Sequence, residues 1–400
     1  MTSTSPSSTA SSEQTSVRPV VGIIGDGQLG MMLCQAANEL SLSTVMLAGD
    51  TANPAAQSAG DTVIGAMNDP DVIQQLISAC DVITYEREDI PAEALAALRS
   101  AERTGNIQCF PSLEVIELIQ DKGRQKTWLR DQRIATLPFM LSSGDISDAH
   151  RAAEELGFPL VQKALRGGFD GRGVQVLRDA AALEHAWPGD TLYEQFAGEF
   201  EEIAVLLVRG QDGGTRYFGP VAMSFETEYS VLDTVRAPAM IDEDTVQAAV
   251  ALAERSITAM DGVGTFGVEL FLLRNGEVLI NEISPRVHNA GHYTIEACAS
   301  SQFEQHLRAV TGLPLADTKQ ESPAAMRNVL CTPALKKEGV TRQAGVSKCD
   351  SISEHWYGKS PARAMRKLGH ITALGETVAE ATAQVNQQWQ QIQDTAKASA

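Results

Sequence analysis

Residues 264–283 read G-T-F-G-V-E-L-F-L-L-R-N-G-E-V-L-I-N-E-I, and this stretch decides the fold. Asn275-Gly276 between two apolar runs is a strong hairpin signal, because both residues accept the positive φ that a two-residue turn requires. With those two residues as the loop, position i faces position 551 − i, which sets Glu269 opposite Glu282. Opposed residues share a face of the sheet, with Cβ atoms about 4.5–5.5 Å apart. In this register Phe271, Leu273, Val278 and Ile280 lie on the same face. Two carboxylates side by side on an apolar face repel each other and lose hydration. A divalent cation removes both penalties, and Mg²⁺ is commonly held by one or two carboxylates plus phosphate oxygens. Asn281 would add a neutral oxygen next to Glu282. The pattern predicts a hairpin with a Mg²⁺ site; the plain alternative is a protonated or solvated pair at a frayed hairpin.

Upstream, an apolar strand over Leu160–Lys163 runs into R-G-G-F-D-G-R-G, Arg166 to Gly173. Four glycines in the seven residues 167–173 make a loop that can lie over phosphates with its amides inward. Lys163 supplies a point charge from a rigid strand. The loop is not a Walker A sequence, which would read G-x-x-x-x-G-K-[ST]. Leu192–Phe196 reads as a strand leading to Glu202, an edge suited to read a base through its backbone and a ribose through a carboxylate. Asp170 and Arg172, inside the loop, are candidates to position a substrate, or simply pair with each other. Arg286, His288, Asn289 and His292 follow the Mg²⁺ strand directly and are dense in hydrogen-bond donors, which makes them candidates to hold an anion. The bland reading is a loop of mutually satisfied hydrogen-bonding groups.

Toward the N-terminus, Val20–Ile24 is a short β-branched run. Gly25-Asp26-Gly27-Gln28-Leu29-Gly30 then matches G-x-G-x-x-G, and a helical pattern extends to about Leu40. A turn of this kind aims backbone N–H groups and a helix N-terminus at an anion. Asp50 ends the next strand about where a ribose-binding acid of a dinucleotide enzyme would lie, so an NAD-linked oxidoreductase is a rival. Further strands at Thr44–Leu47 and Asp81–Tyr85 alternate with helices, which predicts a parallel sheet covered by helices. The expected division is a disordered Ser/Thr-rich tail over 1–17, an N-terminal domain over 18–111, a central α+β region over 112–313 and a small C-terminal domain over 314–400. A polar helix over about Val378–Gln393 closes it.

Composition narrows the function. The 400 residues carry a net charge of −19, which repels nucleic-acid backbones but leaves room for a local basic pocket. No apolar run approaches the ~20 residues of a membrane helix. The six cysteines are scattered without a C-x-x-C pair, so they are read as free thiols of a cytosolic protein rather than as a zinc site.

A Lys before a Gly-rich lid, a Glu-bearing strand, then a paired Glu and Asn-Glu resemble the layout of ATP-grasp enzymes. Finer motifs resemble the N5-carboxyaminoimidazole ribonucleotide synthetase family. They are Gly25–Gly30, Arg166–Gly173, N-E-I-S-P-R-V-H-N-A-G-H-Y-T at Asn281–Thr294, S-Q-F-E-Q-H at Ser301–His306, H-W-Y-G-K at His355–Lys359 and R-K-L-G-H at Arg366–His370. The resemblance implies three parts: a Rossmann-like pre-ATP-grasp domain, an ATP-grasp domain and a C-terminal β-rich domain. It implies ATP and Mg²⁺ as cofactors, and bicarbonate and 5-aminoimidazole ribonucleotide as substrates, in a cytoplasmic homodimer that uses neither nucleic acid nor membrane. By the same motifs, Lys122 and Lys163 correspond to phosphate contacts. Gly168, Phe169, Asp170, Gly171, Arg172, Gly173 and Val174 correspond to the lid. Glu194, Gln195, Phe196 and Ala197 correspond to the adenine strand, and Glu202, Glu226, Asn281 and Glu282 to further nucleotide contacts. Glu269 and Glu282 correspond to metal ligands. Gly27, Gln28, Leu29 and Glu86, with Lys359, Arg366 and Lys367, correspond to the ribonucleotide site. Five positions depart from the pattern: Met31 and Lys122 stand for Arg, Arg87 for an aromatic, Val174 for Gln and Glu226 for His. Another ATP-grasp ligase, such as a formate-dependent glycinamide ribonucleotide transformylase, would share the ATP site and differ around Lys359–His370. A nucleotide sensor without turnover is a further alternative.

Overall fold

The structure is a computed structural model. It describes residues 18–168, 173–226, 229–337, 343–361 and 363–399. The predicted disordered tail over 1–17 lies outside them.

The described residues form three sheets, of which the first is parallel. It comprises β1 (Val21–Ile24), β2 (Thr44–Ala48), β3 (Asp61–Ile64), β4 (Val82–Tyr85) and β5 (Gln108–Cys109), in the order β3-β2-β1-β4-β5. β1, β2 and β4 are buried along their whole length, as expected where helices cover both faces. The covering helices are α1 (Gln28–Glu39), α2 (Pro70–Ala79) and α3 (Ala92–Arg103). Strand order reverses direction beside β1, so the loops after β1 and β4 flank one crevice at the carboxyl edge, where ligands of open α/β sheets bind.

Two helices, α4 (Leu113–Ile119) and α5 (Lys122–Asp131), lead into the centre of the chain. Asp121 caps α5 by accepting the Arg124 N–H, a typical end for a helix whose first amides have no internal partner. A small sheet follows: β6 (Phe139–Ser142), β7 (Leu160–Ala164), β8 (Val174–Leu177) and β9 (Thr191–Gln195), ordered β6-β9-β7-β8, with α6 (Ile146–Leu156) packed on it.

The large sheet contains β10 (Phe200–Arg209), β11 (Thr215–Phe225), β12 (Leu232–Ala237), β13 (Gly264–Leu273), β14 (Val278–Ser284), β15 (Ala324–Leu330), β16 (Gly345–Cys349), β17 (Ile352–Trp356) and β18 (Lys367–Leu374). Its order is β14-β13-β10-β11-β12-β15-β18-β17-β16. Strand β15 hydrogen-bonds to β12, so the C-terminal strands continue the central sheet rather than forming a detached one. The helices α7 (Glu243–Ala259), α8 (Thr294–Ala297), α9 (Gln302–Val310), α10 (Pro333–Lys337) and α11 (Val378–Ser399) pack around it. α11 runs to Ser399, beyond the predicted Gln393, because Trp389, Ile392 and Ala396 keep its apolar stripe buried.

Two of the joints between the N-terminal domain and the rest lie in the core. Leu29, Met31, Met32 and Leu33 of α1 share a core with Val287, Phe303, Leu307 and Tyr357, so Met31, which departs from the family Arg, is a core residue. The second joint is His306 of α9, fully buried. Its Nδ1 accepts the Thr265 N–H at 3.0 Å and its Nε2 lies 2.7 Å from Thr84 Oγ1. Nδ1 is thus an acceptor, and the ring is neutral with its proton on Nε2. Burial pushes its pKa down to about 4. The unfolded chain takes up that proton near pH 6.5 while the folded chain refuses it, so stability is lost as pH falls from about 6.5 toward 4. His306→Gln should flatten this part of the stability–pH curve by on the order of 3 kcal/mol, read as the difference between urea-unfolding free energies at the two ends of that window. An unchanged slope would show that the imidazole is charged in the folded protein.

Candidate active site

The hairpin β13–β14 differs from its predicted register near the turn. Leu273 and Glu277 close the loop through the Leu273 N–H to Glu277 carbonyl bond, so three residues, Arg274–Gly276, form the turn, with Gly276 at φ 84. Leu270 therefore faces Ile280 and Phe271 faces Leu279. Val278 and Ile280 belong to the opposite face, with Val268, Leu270 and Ile283 in the main core, which corrects the predicted neighbours. A one-residue bulge at Asn281 then restores the offset, and Glu269 pairs with Glu282 as predicted. The three-residue turn moves the register by one and the bulge moves it back.

On this face β10, β13 and β14 form two rungs. Glu202, Phe271 and Leu279 are one; Ala204, Glu269 and Glu282 are the next. Phe271 and Leu279 continue into an apolar patch with Leu137 and partly buried Ala197. Burial, with the Glu269 charge added, pushes the Glu202 carboxyl up to about 7, against the opposing pull of Lys163. A bulge re-aims side chains, and here lysines reach two adjacent residues of β14. Lys122 pairs with Glu282, and Lys163 Nζ donates to Asn281 Oδ1 at 3.1 Å. Glu269 Oε1 lies 3.1 Å from His288 Nε2. Burial works to raise the Glu269 pKa, but His288 and then Lys122 outweigh it and keep the carboxyl ionised.

Lys163 also pairs with Glu194 Oε2 at 2.6 Å, joining β7 to β9. Burial favours protonation of Glu194; the Lys163 and Lys126 charges overcome it and hold its pKa below the ordinary range. Gln195 and Phe196 lie exposed at the end of β9. Val174, opposite Lys163 in register, is exposed. Gly173 has φ +75 and packs close to Gly168. Phe169, Asp170, Gly171 and Arg172 lie outside the described residues. Glu226 accepts the Tyr229 N–H through Oε2 at 2.8 Å.

A second cluster fills the crevice of the parallel sheet. Glu86, following β4, lies under the Gly25–Gly27 turn and accepts the Gly27 N–H; a Cβ at Gly27 would land on its carboxylate. Burial raises the Glu86 pKa, partly offset by Arg286 and Lys359. Lys359 reaches Gln28 at the start of α1. Leu29 is buried in the α1 core. Arg366 donates from Nη1 to the Ser360 and Pro361 carbonyls at 3.1 and 2.9 Å, bracing the loop that carries Lys359. Lys367 begins β18 beside it. This turn is a poor pyrophosphate cradle, because Glu86 occupies it and Asp26 accepts the Gly49 N–H just beyond. That geometry weighs against the dinucleotide reading.

Arg286 connects the clusters. Nε and Nη2 grip Glu88 at 2.5 and 3.3 Å. Burial opposes its charge, and Glu88, Glu86 and Glu282 overcome that and raise its pKa. Glu88 itself falls to about 2, with Arg286 prevailing over burial. Arg87, the departure between the two acids, turns to Asp89 at the surface. The loop after Arg286 is pinned by Gln302, which donates to the His288 carbonyl at 2.7 Å and accepts the His288 N–H at 2.9 Å. Asn289 faces the C-terminal sheet, where its Oδ1 accepts from Asn328 at 3.1 Å. Sequence reading missed the Glu88–Arg286 pair and the Gln302 clamp, whose partners are far apart in the chain. Among the described residues no group of three or more His, Cys, Asp or Glu side chains is arranged to hold a metal. Glu269, Glu282 and the Asn281 amide oxygen fit Mg²⁺, which takes few protein ligands and completes its shell with water and phosphate.

A two-lobed cleft, with Lys163 of the small sheet and Lys122 of α5 facing carboxylates on the large sheet, defines the ATP-grasp class. The ATP-grasp domain model matches residues 127–303, the ribonucleotide synthetase preATP-grasp domain model residues 19–120, and the phosphoribosylaminoimidazole carboxylase C-terminal domain model residues 324–384. The chain is 36% identical over 375 residues to the N5-carboxyaminoimidazole ribonucleotide synthase of Brucella melitensis, covering 90% of this chain and 98% of that protein. It is 37% identical to the phosphoribosylaminoimidazole carboxylase of Ogataea methanolica, covering 90% of this chain and 67% of that one; the chain thus spans about two thirds of that fungal relative. The Aspergillus clavatus N5-carboxyaminoimidazole synthase, solved with ADP and 5-aminoimidazole ribonucleotide, superposes with a TM-score of 0.83 at 31% identity, over 94% of this chain and 99% of that one. The chain belongs to the N5-carboxyaminoimidazole ribonucleotide synthetase family.

Proposed function

We propose that this protein uses ATP to activate bicarbonate and carboxylates the exocyclic amine of 5-aminoimidazole ribonucleotide, in purine synthesis. The observation that carries the reading is Arg286, which sits between the carboxylate rungs of the ATP-grasp cleft and the Glu86–Lys359 crevice. One cation bordering both clusters lets an activated carboxyl group formed in one be captured by an amine bound in the other.

A bicarbonate oxygen attacks the γ-phosphorus, ADP leaves, and carboxyphosphate forms. The amine nitrogen takes the carboxyl group, the carbon–oxygen bond to phosphate breaks, and phosphate and a proton depart. Lys122 and Lys163 supply fixed positive charge where phosphate charge develops. Arg286, held by Glu88, offers donors for the bicarbonate or carboxyphosphate anion. Mg²⁺, held by Glu269 and Glu282 with Asn281, would neutralise the nucleotide phosphates when bound. The apolar patch of Phe271 and Leu279, beside Glu202 and the end of β9, suits a base and its ribose. Lys359, on a loop braced by Arg366, suits the ribonucleotide phosphate. A cytosolic homodimer belongs to the same proposal, on the resemblance of the motifs; sedimentation equilibrium tests the dimer.

Phosphate release should require ATP, bicarbonate and 5-aminoimidazole ribonucleotide together. Release with formate and glycinamide ribonucleotide instead would assign the chain to a different ATP-grasp ligase. Glu282→Gln should lower kcat at least about 100-fold by removing a charge from the phosphate site while leaving the thermal midpoint within a few degrees; full activity at ordinary Mg²⁺ would refute the metal assignment. Lys359→Ala should raise the KM for the ribonucleotide about 10- to 100-fold, the worth of one desolvated charge-assisted contact, with the KM for ATP nearly unchanged. Equal rises in both constants would place Lys359 in the fold or the nucleotide site.

A further inference from the structure

Beneath Lys163 lies a second lysine that the proposed chemistry does not use. Lys126, on α5, is buried, and its side chain is 4% exposed. Its Nζ lies 2.5 Å from Glu194 Oε1 and donates to Thr136 Oγ1 at 2.6 Å. It also donates to the Ile280 carbonyl at 3.4 Å. The Glu194 side chain is 1% exposed, with its other oxygen on Lys163. One enclosed carboxylate thus holds two ammonium groups, one on each oxygen.

The two lysines differ in what else they face. Lys163 bonds Asn281, on the strand of the carboxylate rungs, and its side chain keeps 12% exposure, which puts it at the edge of the cleft. Lys126 spends its other bonds on Thr136 and the backbone of β14, away from the cleft. A phosphate arriving at Lys163 competes with Glu194 for the same positive charge. Glu194 has no water to turn to, and an enclosed carboxylate without a counter-ion is costly.

We propose that Lys126 is the standing counter-ion of Glu194, a positioning residue that leaves the charge of Lys163 available to the nucleotide phosphates. With Lys126 in place, the Lys126–Glu194 pair is neutral by itself, and the Lys163 charge is surplus that phosphate can take. Without it, Glu194 draws on Lys163 and the phosphates lose that contact. Lys126 also links the small sheet to β14 through Glu194 on one side and the Ile280 carbonyl on the other. This inference rests on the ATP reading above.

The test compares ligands with and without phosphates. Calorimetry with ATP·Mg²⁺ and saturation-transfer NMR with adenosine are run on wild type and three variants: Lys126→Met, Glu194→Gln and the double variant. Lys126→Met should weaken ATP at least about tenfold, the scale of one charge-assisted contact, and change adenosine affinity less than about threefold. Adding Glu194→Gln should restore most of the loss, because no carboxylate then competes for Lys163. Equal losses for ATP and adenosine, or no recovery in the double variant, would show that Lys126 only supports the fold and overturn the inference. If Lys126→Met alone does not fold, Glu194→Gln and the double variant still decide: equal ATP affinities are expected, and a further tenfold loss in the double variant overturns it. ATP binding by wild type with no effect of Lys126→Met sinks this inference alone. No ATP binding by wild type sinks the proposed function and this inference with it.

Discussion

The structure depends on the backbone of β14. One bulge at Asn281 lets two consecutive side chains, Asn281 and Glu282, meet lysines of the same cleft, which a regular strand would send to opposite faces. That backbone is held from behind by α5. Gln125 accepts the Ile283 N–H at 2.9 Å and donates to the Ile283 carbonyl at 3.1 Å, while Thr136 and Lys126 bond the Ile280 carbonyl. A side-chain amide used as a backbone surrogate fixes the strand two residues beyond the bulge, where an unpinned irregularity would otherwise slip. Lys122 and Lys126 stand on the same helix, so the carboxylates and the cations that face them are set by one rigid contact.

The electrostatics follow from that geometry. A chain of net charge −19 places Lys122 and Lys163 at the ATP-grasp cleft, Lys126 beneath it, Lys359 in the adjoining crevice and Arg286 between the two, and matches them with Glu86, Glu88, Glu194, Glu269 and Glu282. Enclosed charges of one sign alone would shed or take up protons. Opposite charges a few ångströms apart keep one another ionised, so cations remain for phosphate and carboxylate ligands. Glu202 and Glu86 show the limit: each has more burial or acidic company than cationic support, and each pKa is raised.

The C-terminal strands contribute through sheet continuity. Because β15 extends the central sheet and β17 and β18 extend it further, the loop bearing Lys359 reaches the first turn of α1, over three hundred residues earlier in the chain. The buried α1–α9 core and the His306–Thr84 bridge hold that first turn in place. The crevice is thus built from both ends of the chain against a common middle.

The sequence by itself determined the elements with local causes. The β-branched runs of the parallel sheet and the presence of a hairpin at Asn275-Gly276 were legible because strand periodicity and turn chemistry act over a few residues; the pairing of Glu269 with Glu282 holds because the turn and the bulge shift the register by opposite steps. The motifs marked Lys163 and Asn281 for the nucleotide and Lys359 for the ribonucleotide. Only the tertiary structure decided the three-residue turn and its compensating bulge, on a strand that Gln125 and Lys126 hold from α5. It also decided that Met31 is core, that Asn289 faces Asn328, and that Arg286 is gripped by Glu88, 198 residues away. Such pairings are set by how sheets and helices close on one another, and no short-range pattern in a single sequence carries that distance.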